Sequence, residues 1–246
     1  FLFLLMIFAS SSFSHAKEYK ISSPDGRLIL TIDAGPGVSW KASYDGKEII
    51  SSVKLGMVLA DGKTLGENEK VKRAVTGKVD NLLEPVVAAK RSVIPDQCNT
   101  LLISFRSGFA VQFRAYNDGA GYRFETSLKN DVTVREEIFS LAMPAGTHAW
   151  YPLEESFMSH NERNYIYSSL DTIATRHLAS LPTLFTSNGI NVLLTEADIE
   201  DYPGMWIRGD GKGKLKGVHP GYPGSEKLEG DRNLFVASTK DYIAAT

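Results

Sequence analysis

The sequence predicts an all-β chain folded as an antiparallel sandwich. Three observations lead there. Apolar and polar residues alternate over short segments along most of the length, Asp-Gly and Asn-Gly turn dipeptides separate several of them, and no amphipathic helix as long as about ten residues can be drawn. With 246 residues, 43% of them apolar, the chain can bury one large all-β core or two small ones, which excludes a disordered polymer. The formal net charge is -2 and the basic residues are scattered, so nucleic acid is not an expected partner.

The first sixteen residues read as a secretory leader. An unbroken apolar run from Phe1 to Ala9 leads through serines into Ser14-His15-Ala16, the small-x-small pattern of a cleavage site, and is too short to span a membrane. The mature chain is expected to start near Lys17, outside the inner membrane, with a periplasmic location favoured over an extracellular or surface-anchored one. No initiator methionine or basic leader precedes the apolar run, so the sequence is expected to be incomplete at its front. A single cysteine, Cys98, cannot close an intramolecular disulfide, and no histidine or basic group adjoins it in Asp96-Gln97-Cys98-Asn99.

After the turn Ser23-Pro24-Asp25-Gly26, Leu28, Leu30 and Ile32 alternate against Arg27, Ile29 and Thr31 as a strand. Val38 to Tyr44 is a second strand, and Asp45-Gly46, tolerant of positive φ, turns it back into Lys47 to Ser51. Gly62 to Lys70 is polar; Val71 to Val79 and Val86 to Val93 are expected to be short sandwich strands. The strongest hairpin lies within Leu101 to Glu125, where Phe109, Val111 and Phe113 alternate with Ala110, Gln112 and Arg114. Tyr122 and Phe124 alternate with Arg123 and Glu125 across the turn Asn117-Asp118-Gly119. Asn188 to Thr195, entered from Ser187-Asn188-Gly189, is another strand. Gly209 to Gly224, rich in glycine, proline and lysine, reads as an exposed loop, and Asn233 to Ser238 as the last strand.

Candidate chemistry concentrates between Trp150 and Tyr167, where Glu154, Glu155, His160 and Glu162 sit among amides and hydroxyls. Such oxygens suit a hard cation such as calcium or a hydroxyl-rich sugar, and equally a solvated surface loop. Glycoside hydrolysis usually needs two carboxylates across the scissile bond. Glu154 with Glu155, and Glu136 with Glu137, are strand neighbours that point to opposite faces and fail as dyads. Glu196, Asp198, Glu200 and Asp201 place alternate members on one face, which a charged strand edge explains as well. His160 and His177 lack the spacing of a zinc pair. Trp40 is expected in the core and Trp150 at the edge of a site, while Trp206 could serve either way.

Four segments in order resemble the amino-terminal domain of glycoside hydrolase family 97, α-glycosidases of Bacteroidetes. They are Ser23-Pro24-Asp25-Gly26, Phe113 to Phe124 with its Asn-Asp-Gly turn, Trp150-Tyr151-Pro152, and Leu194 to Tyr202. The resemblance implies an antiparallel β-super-sandwich of the galactose-mutarotase type over residues 17–246. It also implies a catalytic (β/α)8 barrel after residue 246 and a Ca2+ ion where the two meet. The family's amino-terminal domain lends one glutamate to that ion from the loop after the Trp-x-Pro strand. The pattern Glu162-Arg163-Asn164-Tyr165 makes Glu162 the expected ligand, and because the preceding loop is a few residues longer than the family pattern, Glu155 and Glu154 remain alternatives. The implied partners are an α-linked oligosaccharide and the chain's own carboxy-terminal barrel, with the catalytic residues in that barrel and none in this chain. A free-standing carbohydrate-binding module and a mutarotase-like enzyme are the competing readings.

Overall fold

The computed structural model describes residues 17–87, 90–229 and 233–245; the predicted leader lies outside them. Strands β1 (Glu18–Ser22), β2 (Leu28–Ala34), β3 (Val38–Tyr44) and β4 (Lys47–Leu59) form the opening meander, with β5 (Thr64–Leu65) folded back on β4. The long pair β6 (Val71–Leu83) and β7 (Ile94–Phe105) leads into β8 (Phe109–Ala115) and β9 (Ala120–Thr126). Then come β10 (Thr133–Ala142), β11 (His148–Glu154), β12 (Tyr165–Ser169), β13 (Leu178–Ala179), β14 (Thr183–Ser187) and β15 (Ile190–Leu194). The rest comprises β16 (Trp206–Gly209), β17 (Leu215–Val218), β18 (Pro223–Glu229), β19 (Asn233–Thr239) and β20 (Ala244–Ala245).

Among the described residues every strand pairing is antiparallel, and the only helical element is a 3-10 turn, Leu170–Thr172. The large sheet runs β1-β2-β3-β4-β10-β17-β16-β13-β11-β14-β15; β6-β7-β8-β9 form a second sheet and β18-β19 a separate ribbon. The β6–β9 sheet faces the opening meander. Leu30, Ile32, Val38 and Val53 from one side meet Ile103, Phe109, Val111 and Phe113 from the other in one buried cluster. Each such side chain contributes about 1.5–3 kcal/mol by leaving water. Trp40 is in this core as expected, its ring 6.4 Å from Phe113 edge-on and 6.5 Å from Tyr122. Cys98 is buried too, as a small apolar filler.

The predicted turns hold. Asp45 and Gly46 both take positive φ, 49° and 75°, the geometry of a tight hairpin. Asn188 and Gly189 do the same between β14 and β15. The Ser23–Gly26 turn meets the Asn117 turn directly: the Asp25 amide donates to Asn117 Oδ1 at 3.0 Å, tying the edges of the two facing sheets.

Three expectations are corrected. Residues 84–87 and 90–93 belong to no strand; the first and second strands of the smaller sheet instead run long, to Leu83 and from Ile94. Val86 and Val87 are fully and largely exposed, so their apolar run has no core to bury against. Gly209 to Gly224 is not one exposed loop, because β17 crosses it with Leu215 and Gly217 buried. The glycine there answers to close packing: a Cβ on Gly217 would lie 2.8 Å from Met205 Sδ and 2.9 Å from Phe139 Cβ. The Glu196–Asp201 acids do not lie on a strand edge either. They occupy an irregular loop after β15, with Asp198 and Asp201 at positive φ.

Candidate functional site

Strand β11 organises the candidate site. Its alternation sends Ala149 and Tyr151 inward and Trp150 outward, and Tyr151 Oη lies 3.0 Å from the carbonyl oxygens of both Ile207 and His177, its proton shared between them. Burial pushes the Tyr151 phenol well up, so it stays a donor that ties β11 to its neighbours.

At the end of β11, Glu154 turns inward and its side chain is wholly buried. Oε2 accepts from Ser159 Oγ at 2.8 Å and from Arg163 Nε at 2.8 Å, and Oε1 accepts from Ser180 Oγ at 3.4 Å. A buried carboxylate is tolerable only when its lone pairs are met in this way. The consequence is mechanical. Glu154 holds both ends of the 159–163 segment, while Phe157 rests edge-on against Trp206 at 5.5 Å. Ser156 and Ser159 hydroxyls also accept from the amides of Met158 and Asn161, and Asn161 takes a φ of 58°.

The loop so pinned presents Glu155, His160 and Glu162 to solvent. Of the predicted candidates, Glu162 and Glu155 therefore keep their carboxylates available, whereas Glu154 has its oxygens committed to the fold. Among the described residues no group of three or more His, Cys, Asp or Glu side chains could hold a metal ion. One exposed carboxylate can supply a ligand but cannot by itself satisfy a cation that takes six to eight oxygens. His177 lies apart from His160 in role: its Nδ1 accepts the Ala174 amide at 3.1 Å and closes a turn.

The chain leaves the acidic loop directly into β12, which pairs β11 as an edge. Trp150 and Tyr167 are cross-strand partners with ring centroids 4.9 Å apart, and His148 stacks on Tyr167 at 5.1 Å. Tyr165, opposite Pro152, sends its hydroxyl to the Pro182 carbonyl at 3.0 Å. Trp150, Tyr165, Ile166 and Tyr167 remain 43–50% exposed, a concentration of apolar surface beside a polar loop. Trp150 is thus exposed beside the loop, and Trp206 packs against the loop through Phe157.

Sequence reasoning missed a second assembly. Glu137, the inward member of the Glu136–Glu137 pair, meets Tyr122, Tyr202 and His219 inside the fold. The inward position was readable from strand alternation. Its partners were not, since they come from separate elements.

The class that these features define is an all-antiparallel sandwich module with exposed aromatics beside an acidic loop. The chain belongs to the Glycosyl-hydrolase 97 N-terminal family, whose pattern matches residues 21–235. It is 29% identical over 255 aligned positions to a retaining alpha-galactosidase of Bacteroides thetaiotaomicron, covering 98% of this chain and 38% of that protein. Its fold is similar to that of a glycoside hydrolase family 97 enzyme from Pseudoalteromonas sp. strain K8 solved in complex with acarbose. There the TM-score is 0.73 at 20% identity, over 82% of this chain and 32% of that one. A beta-arabinopyranosidase matches with a TM-score of 0.76 at 20% identity, over 94% of this chain and 38% of its own. The chain thus spans 32–38% of the length of these relatives.

Proposed function

We propose that this chain is the amino-terminal sandwich of a secreted, periplasmic α-glycosidase acting on α-linked oligosaccharides. In this reading it packs on a catalytic (β/α)8 barrel, walls one side of the sugar site, and lends Glu162 to a shared Ca2+ ion. The observation that carries the reading is the union of an available carboxylate and an exposed aromatic strip on one edge of a domain of this family. Glu162 leads within three residues into Tyr165, so a partner surface that buries Trp150, Tyr165 and Tyr167 would meet the acidic loop as well. Ion ligation by Glu162 alone would be too weak to matter, which fits a site completed by oxygens from the barrel.

Catalysis belongs to the barrel in this reading, as the family resemblance implies, and Glu154, with its oxygens committed to Ser159, Arg163 and Ser180, is not free to act as one of a glycosidase pair. The purified chain is therefore expected to give no turnover of aryl α-glucosides or α-galactosides; measurable hydrolysis abolished by a substitution within the chain would overturn the assignment.

A second reading, a free-standing carbohydrate-binding module, is favoured by the exposed Trp150 and Tyr167 rings, whose faces could stack on sugar rings. It predicts that the isolated chain is retarded by immobilised α-linked oligosaccharides and that Trp150→Ala abolishes the retardation. The packing reading predicts no retardation by either.

A further inference from the structure

The assembly around Glu137 is used by neither the loop nor the aromatic strip. Glu137 lies on β10, with a side chain 12% exposed, and His219, just after β17, is 3% exposed. Their nearest atoms, Glu137 Oε2 and His219 Nε2, are 4.0 Å apart. Tyr122 on β9 donates to Oε1 at 3.4 Å, and Tyr202, in the loop after β15, donates to Oε2 at 3.2 Å while its ring stands edge-on to His219 at 6.0 Å. Glu196, from the same loop, also faces the group and accepts the Met205 amide at 2.7 Å. On β4, the residue paired with Glu137 is the apolar Met57. The cluster thus joins β9, β10, the residue after β17 and the loop after β15.

A carboxylate and an imidazolium at 4.0 Å would form an ion pair. Placing that pair here requires stripping water from both ions, at a separation too long for a hydrogen bond between them. The nearby Glu196 carboxylate disfavours a second anion. We propose that Glu137 and His219 are held as a neutral pair in the folded chain: the carboxyl keeps a proton, the imidazole lacks one, and folding in mildly acidic solution moves one proton from histidine to glutamate. The count balances. An unfolded chain between the ordinary glutamate and histidine values carries its proton on imidazole nitrogen, and the folded chain carries it on carboxyl oxygen, with none taken from or released to solvent.

Burial pushes the Glu137 carboxyl up to about 7, against the two tyrosine hydrogen bonds, and burial brings the His219 imidazole down to about 4. The signs then oppose. Glu137, with a raised folded value, contributes stability that is lost as pH rises from about 4.3 to about 7. His219, with a lowered folded value, contributes stability that is lost as pH falls from about 6.5 to about 4. Over the shared window the two slopes cancel, so the closure of the loop after β15 onto β10 keeps constant strength while pH changes. Either residue alone would be a pH switch; together they remove it.

The experiment is denaturant unfolding of the chain and of Glu137→Gln and His219→Gln between pH 4.5 and 6.5. Relative to the parent, the unfolding constant of Glu137→Gln should fall by up to tenfold per pH unit as pH rises, and that of His219→Gln should rise by up to tenfold per unit. Slopes parallel to the parent in both variants would overturn the proposal, since a fully charged pair has no proton count to unmask in this window. Should a variant not fold, side-chain NMR titration of the parent decides. Glu137 protonated and His219 neutral at pH 5.5 supports the neutral pair, and a charged His219 at that pH overturns it.

Discussion

Glu154 and Arg163 show how one buried carboxylate fixes the presentation of its neighbours. Arg163 Nε lies 2.8 Å from a carboxylate with no exposure, while its own side chain is 43% exposed. Arg163→Ala would leave Glu154 with only the serine hydroxyls, and we expect a lower midpoint in chemical denaturation, by less than an orphaned buried ion would cost because water can reach the vacated space. An unchanged midpoint would remove the anchoring role. The acidic loop itself was legible in the sequence as carboxylates and amides after a Trp-x-Pro strand. Which carboxylate is buried was not, because that depends on Ser180 and on β13 passing beside Glu154, contacts that strand alternation does not encode.

At the scale of elements, period-2 alternation was readable wherever a strand has one buried and one open face. Leu28, Leu30 and Ile32, and Phe109, Val111 and Phe113, are buried as their spacing requires. Reading failed where composition misled. Val86, Val87 and Val93 are apolar yet exposed, and β17 carries glycine at 217 because it passes too close to Phe139 and Met205 for a larger residue. Gly217→Ala should therefore destabilise by roughly 1–3 kcal/mol through overpacking. A thermal midpoint equal to that of the parent would show that Met205 yields freely. The loop after β15 was mistaken for a strand edge because alternating acids mimic period 2; its half-buried Glu196 instead caps the Met205 amide.

At the scale of the whole molecule, the motifs that carried the family resemblance are structural joints as much as signatures. The Ser23–Gly26 and Asn117–Gly119 turns touch across the sandwich, and Trp150-Tyr151-Pro152 places one ring in solvent and the next in the core. The fold and the family were therefore legible from sequence. The Glu137 cluster was not, since its members join only when β9, β10, β17 and the loop after β15 close. In the proposed function the sandwich acts through the edge carrying Glu162 and the aromatic strip. The decisive measurement is Ca2+ affinity in the proposed longer protein, sandwich plus barrel, bearing Glu162→Ala or Glu155→Ala. Both residues are exposed, so folding stability should change by no more than about 0.5 kcal/mol in either variant. Calcium binding should be at least roughly tenfold weaker in Glu162→Ala, as expected for a lost carboxylate ligand, and parent-like in Glu155→Ala. Undiminished calcium affinity in Glu162→Ala would contradict it.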